Sequence, residues 1–206
     1  CYAALASVGV VVLVIAACRI IHKYQNKWSS ALEYSLLIPW LLPSTLIAIG
    51  LITTFSVPQW FIGGKVLSGT LLIMLLAYII IKIPFTLRMT KAAFFSIDNS
   101  LEDAAKNLGA GSMYTFFRIL LPIILPSVLA VFALNFNGLL TDYDLSVFLY
   151  HPLYQPLGVY IKNLTDSTTL ADNTAMTFVY AVMVMIISAI TLYLVYGRKS
   201  DKIKGL

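Results

Sequence analysis

The chain has 206 residues, of which 60% are hydrophobic and only 11% charged, whereas an average soluble domain carries about a quarter charged residues. This excludes a water-soluble domain and fits one membrane domain of roughly five helices at about 20 residues each. The formal net charge of +5 reads as a membrane-topology signal, not a nucleic-acid footprint, because the basic residues cluster between and behind apolar runs.

The first apolar run, Tyr2 to Cys18, is followed by Arg19, His22, Lys23 and Lys27. A secretory signal would carry its basic residues in front, so this is a span with its basic flank behind it, and residues 19–33 are expected as a cytoplasmic loop. The chain lacks an initiator Met and opens directly into this span, which favours part of a longer polypeptide over a lipid-modified Cys1. A second span is expected from Tyr34 to Val57, interrupted by Pro39 and Pro43. A kink there serves either a translocation path or packing. Pro58 to Lys65 reads as a short external turn with Trp60 and Phe61 at interfacial depth. A third span, Val66 to Ile81, should end at Lys82 and Pro84, with Lys82 snorkelling to the inner headgroups or, alternatively, held as a buried functional lysine. Arg88 and Lys91 then mark the cytoplasmic side.

Residues 96–122 carry the most structured polar signal. Ser100 is the expected N-cap, with Asp103 three residues later as a capping-box acid, and Glu102 and Asp103 in the first turn suit the helix dipole. Leu101, Ala104, Ala105 and Leu108 recur at i, i+3, i+4 and i+7, one helical face. Glu102 and Lys106 are spaced as an i,i+4 pair on the opposite side. Gly109 stands where a C′ glycine ends a helix. A second short helix is expected after Gly111 and Ser112, with Met113, Phe116, Phe117 and Leu120 as its stripe, ending at Pro122.

A fourth span runs from about Ile123 to Leu140. Asn135 and Asn137, two residues apart, lie on different faces, so at least one meets protein or a pathway; helix–helix hydrogen bonding and substrate contact both remain open. Residues 141–175 form the longest external segment, with Leu145–Leu149 and Leu157–Leu164 apolar enough to dip into the membrane as re-entrant or short helical pieces. Asp142, Tyr143 and Asp144, with Tyr150, His151, Tyr154, Tyr160, Asp166 and Asp172, supply oxygen-rich ligands suited to a hard cation such as ferric iron, or alternatively a docking surface with interfacial tyrosines. A fifth span, Met176 to Gly197, precedes a tail with Arg198, Lys199, Lys202 and Lys204. Lys65 and Lys162 are then the only external basic residues, against twelve at or inside the inner boundary.

The 96–122 segment resembles the cytoplasmic loop of permease subunits of bacterial binding-protein-dependent ABC importers, whose pattern is Glu-Ala-Ala, three residues, Gly, nine residues, Ile-x-Leu-Pro. Asp103, Ala104, Ala105, Gly109, Ile119, Leu121 and Pro122 occupy the fixed positions, with Asp103 in place of Glu and Glu102 beside it. The resemblance implies an all-α membrane protein of the type I importer permease kind, with about five transmembrane helices in a single domain over residues 1–206. It implies that Glu102, Asp103, Ala104, Ala105, Gly109, Ile119, Leu121 and Pro122 couple the chain to ATPase subunits. It further implies an external substrate-binding protein and a second permease half or subunit, in the cytoplasmic membrane. Asn135, Asn137, Asp142, Tyr143 and Asp144 are the candidates for pathway or substrate contact. The external segment resembles the ferric-iron branch, whose relatives include polyamine, thiamine and phosphonate importers, and this chain looks like the C-terminal half of such a permease. No P-loop, H-E-x-x-H or G-x-S-x-G pattern is present. No cofactor is therefore expected on this chain, and ATP and Mg²⁺ would bind a partner. An ATP-independent carrier and a membrane-embedded enzyme are the remote alternatives.

Overall fold

The structure, a computed structural model, describes residues 2–60, 63–166 and 171–197. It is all-helical among the described residues. The helices are α1 (Tyr2–Tyr24), α2 (Lys27–Leu37, extended by a 3₁₀ turn Ile38–Leu41), α3 (Ser44–Phe55), α4 (Leu71–Phe95), α5 (Asn99–Asn107), α6 (Ser112–Leu140), α7 (Ser146–Leu149), α8 (Leu157–Asp166) and α9 (Ala171–Leu192, followed by a π turn Tyr193–Gly197). Four are long and apolar enough to cross a membrane. The α2–α3 pair makes a fifth only as a broken span, because it bends by 103°.

α1, α4 and α6 form the core. On α1, Ala3, Ala6, Ser7, Val10, Val14, Ala17 and Ile21 are buried at helical spacing. This mostly small face lets α4 approach closely, as membrane helices do where lipid gives no hydrophobic drive for association. Two apolar clusters fill the bundle. One, at the α5 end, joins Val14, Cys18, Leu87, Phe94, Phe116 and Leu120. The other, at the opposite end, joins Ala6, Ile73, Tyr78, Leu139, Leu145 and Leu149. Between them, the Asn135 amide donates to Thr86 Oγ1 over 2.8 Å, so this asparagine serves helix–helix bonding. Asn137 does not share that bond, and its Oδ1 is buried without a partner among the described residues.

Several expected boundaries move. α1 runs on through Arg19, His22 and Lys23, and α2 begins at Lys27, so residues 19–33 are largely helical. The second span is not one continuous helix: Pro39 sits in the 3₁₀ turn and Pro43 caps α3, two donors lost within one turn of chain. The third span does not stop at Lys82. α4 carries Pro84 in its interior and reaches Phe95, 25 residues in all. Arg88 and Lys91 therefore lie on a helix, where Arg88 stacks over the Trp40 ring at 4.7 Å and Lys91 pairs with Glu33 at 2.5 Å, fastening α2 to α4. Pro122 likewise ends nothing. The 29-residue α6 passes through it and Pro126, and at about 44 Å it outreaches a hydrocarbon core of about 30 Å.

A π turn at Phe116–Leu120 absorbs Pro122, with the Leu121 N–H reaching back five residues to the Phe116 carbonyl. A wider turn there relieves the clash between the proline ring and the carbonyl four residues earlier. α9 starts at Ala171, five residues before the expected Met176. The 58–65 turn is closed by an antiparallel bridge between Gln59 and Lys65. Phe61 and the basic tail from Arg198 lie outside the described residues.

Asn135→Ala should destabilise the detergent-solubilised protein by roughly 1 kcal/mol. Adding Thr86→Val should cost little more, because the shared bond is already gone; denaturant titration of the two singles and the double checks the coupling.

A candidate coupling helix and its attachment

α5 is capped by Asp98, not Ser100. The Asp98 carboxylate accepts the Ser100 backbone N–H at 2.9 Å, and that hydrogen bond holds its pKa below the ordinary carboxylate value. The stretch Ser96-Ile-Asp-Asn-Ser offers four capping side chains, and spacing alone does not choose among them. The helix ends as expected. Gly109 has φ of +79°, the left-handed conformation that costs a side chain about 1–2 kcal/mol. The Gly109 N–H bonds the Lys106 carbonyl and the Ala110 N–H bonds the Ala105 carbonyl, both at 2.9 Å, a Schellman motif.

The charges pair differently from the expected i,i+4 contact. Lys106 bonds Asp103 at 3.2 Å, on the exposed side. Glu102 turns inward, with Oε1 2.8 Å from Arg19 Nη1 on α1 and side-chain exposures of only 15% and 10%. That Nη1–H is not aimed at the oxygen, so the contact is an ion pair more than a directed hydrogen bond. The second guanidinium nitrogen donates to Ser112 Oγ at 2.9 Å and to the Ser112 carbonyl at 3.3 Å. The Arg19 carbon lies 5.4 Å above the Phe116 ring, and His22 Nδ1 stands 3.9 Å from the other Glu102 oxygen. Arg19 thus ties α5, the start of α6 and the π turn to the end of α1.

This attachment fixes which face α5 shows. Ala105 is 5% exposed and packs inward with Glu102. Leu101 and Leu108, 42% and 88% exposed, stand outside with Ala104. The expected apolar stripe is real, but its own chain covers only Ala105. Further along the motif, Ile119 and Leu121 are half-buried, while Pro122 is exposed. Pro122 lines an apolar cavity of about 910 Å³ between α4, α6 and the end of α9.

The other candidate residues do not gather in one place. Asp142 Oδ2 accepts Ser146 N and Oγ at 3.1 and 2.8 Å, and Ser146 Oγ meets Tyr78 Oη at 2.5 Å, so Asp142 holds the start of α7. Tyr143 is half-buried and Asp144 exposed. His151 Nδ1 accepts the Leu153 N–H within a local turn. Among the described residues, no three His, Cys, Asp or Glu side chains are grouped to hold a metal ion; the Asp166 and Asp172 side chains fall outside those described. Sequence reading missed Arg19 as a partner of Glu102 and took Lys82 for a boundary.

Residues 9–197 match the family of binding-protein-dependent transport system inner membrane components. The chain belongs to that family. Within it, the chain is 32% identical over 182 residues to a probable ABC transporter permease protein, y4fN, of Sinorhizobium fredii, covering 88% of this chain and 32% of the relative. It is 28% identical over 162 residues to a putative 2-aminoethylphosphonate transport system permease protein, PhnV, of Salmonella paratyphi A, covering 79% and 58%. A probable sulfate transport system permease protein, cysT, of Prototheca wickerhamii is 29% identical over 130 residues, covering 60% and 51%. The chain spans about a third to three fifths of the length of these relatives.

Two solved structures share the fold of this family member. One is a bacterial ABC transporter importing the polysaccharide alginate (TM-score 0.74, 18% identity, 94% of this chain and 78% of that one). The other is the inward-facing MetNI methionine ABC transporter (TM-score 0.68, 16% identity, 95% and 88%).

Arg19→Met should loosen α5 by roughly 3–5 kcal/mol, because it strands Glu102 largely out of water. Glu102→Gln should cost less, because Arg19 keeps Ser112; limited proteolysis across residues 96–112 ranks the two. Asp98→Ala should speed amide exchange at the start of α5. In the wild type the cap holds above the ordinary aspartate pKa and fades as pH falls through its lowered value, which amide exchange against pH would show.

Proposed function

We propose that this chain is a membrane-spanning permease part of an ATP-driven importer, with α5 as the helix that docks on an ATP-hydrolysing subunit. One observation carries the reading. α5 is clamped to its own chain along Glu102 and Ala105, while its neighbouring apolar stripe of Leu101, Ala104 and Leu108 is left uncovered. An amphipathic helix presenting i, i+3 and i+7 anchors is the form that helix-in-groove recognition uses.

Arg19, Lys23, Lys27, Arg88, Lys91 and Lys106 gather at the α5 end, against Lys65 and Lys162 at the other. This charge bias supports a cytoplasmic α5 end. ATP and Mg²⁺ would bind the partner ATPases, and a substrate-binding protein would deliver cargo to the opposite face. A second permease half or subunit would complete the path.

The mechanism follows from the attachments. ATPase closure moves α5 as a rigid piece, stiffened at one end by the Asp98 cap and at the other by the Gly109 turn. Arg19 passes the displacement to α1, and Ser112 and the π turn pass it to α6. Continuous long helices then transmit it as a rigid-body rearrangement.

For cargo, the phosphonate alternative has more support than ferric iron. Two similar relatives are named for oxyanions, 2-aminoethylphosphonate and sulfate, and among the described residues no three His, Cys, Asp or Glu side chains are grouped to hold a metal ion. Ferric-iron uptake is the competing outcome.

Leu108→Glu alters only an exposed residue, so the variant should insert and fold normally yet lose most ATPase co-purification and ATP-driven uptake. Gly109→Pro should remain in the membrane with ATP hydrolysis uncoupled from uptake. Wild-type uptake and co-purification by both variants would refute the docking assignment.

A further inference from the structure

Lys82 is the twelfth of the 25 residues of α4, so about 17 Å of helix separates it from Leu71 and about 20 Å from Phe95. A charge at that depth does not face lipid in a stable protein; it faces protein or a water-filled path and marks function. Among the described residues, its ammonium has no hydrogen-bond acceptor and no carboxylate in ion-pair contact.

The ammonium rests on Gly138 of α6, where an added Cβ would stand 2.9 Å from Nζ. Gly138 is exposed and Lys82 partly so, which puts the charge at the surface of the α4–α6 seam. The missing Cβ is what admits it. Asn137 Oδ1, one residue before the glycine, is a buried acceptor with no partner among the described residues. Asp142, two residues past the end of α6, lies close enough to interact electrostatically with Lys82. Ser146 occupies its Oδ2, and among the described residues no hydrogen bond reaches Oδ1.

We propose that Lys82, seated in the Gly138 notch, and Asp142 form a substrate contact on the translocation path for a small zwitterionic oxyanion. The oxyanion meets the Lys82 ammonium, and the substrate's own ammonium turns toward Asp142 and the Asn137 oxygen. A lone lysine would suit any anion. The carboxylate beside it disfavours a plain dianion and favours one that brings its own positive charge. Lysine, a compact point charge, can hold an oxyanion without the fixed fork of arginine and can release it. This inference rests on the importer reading and deepens it.

The test uses the complete importer, with full-length permease, ATPase and binding protein, in proteoliposomes supplied with labelled 2-aminoethylphosphonate or sulfate. The wild type should favour 2-aminoethylphosphonate. Lys82→Gln should lower its uptake roughly tenfold or more, as loss of one partner of a desolvated charge contact does. Gly138→Ala meets only the end of a flexible side chain, so it should assemble normally and raise KM more than it changes kcat. Asp142→Asn can still accept from Ser146 and should narrow the preference over sulfate.

Undiminished uptake by Lys82→Gln would overturn the site. So would ATP-driven wild-type import only of cargo lacking an anionic group, although the importer reading would then stand. Failed assembly of Lys82→Gln with an unchanged KM in Gly138→Ala would instead place Lys82 in an ion pair with the second permease half, and would also overturn it. Absence of any ATP-driven uptake by the wild type would remove the importer reading itself.

Discussion

The contact between Arg19 and Glu102 decides the orientation of α5, and the rest of the α5 end depends on that orientation. A nine-residue helix joined by a glycine turn has little reason to hold one azimuth on its own, since short helices are marginal without tertiary packing. Two largely buried charges, with Ser112 and the Phe116 ring around the guanidinium, supply the reason. Glu102 and Ala105 face the bundle, so Leu101, Ala104 and Leu108 must face away. Without the pair, burying the two leucines against the chain would be the cheaper arrangement.

Three helices make that end stiff. Phe94 and Phe116 stack with ring planes 4° apart, linking the end of α4 to the start of α6. Arg19 joins α1 to the same spot. These contacts fasten α5 to α1, α4 and α6 at one spot. The prolines divide the work. Pro84, Pro122 and Pro126 are carried inside long helices, whereas Pro39 and Pro43 break the chain sharply between α2 and α3.

What was legible in the sequence was local. Gly109 could be read as a helix terminator because a left-handed residue after an alanine-rich turn is a backbone requirement that only spacing and residue type determine. The membrane class was legible from composition, and the two short helices of the 141–166 region from their apolar runs. What was not legible was non-local or ambiguous. Arg19 is 83 positions from Glu102, and no periodicity links them. Lys106 had two acids within reach, and the choice fell to Asp103 once Glu102 had a partner on α1. Lys82 and Pro84 together resembled a span end, yet α4 continues because its buried residues from Ile83 to Phe94 pack against α1 and α6. Tertiary burial there outweighs the single donor that the proline removes.

The uncovered stripe of α5 is the surface proposed to meet an ATPase. A photo-crosslinking residue at Leu108, in native membranes containing the full transporter, tests it directly, with the same residue at Leu153, exposed at the opposite end, as the comparison. An adduct with the ATPase subunit is expected from position 108 and none from position 153. Adducts only with lipid or with this chain's own helices from position 108 would contradict it.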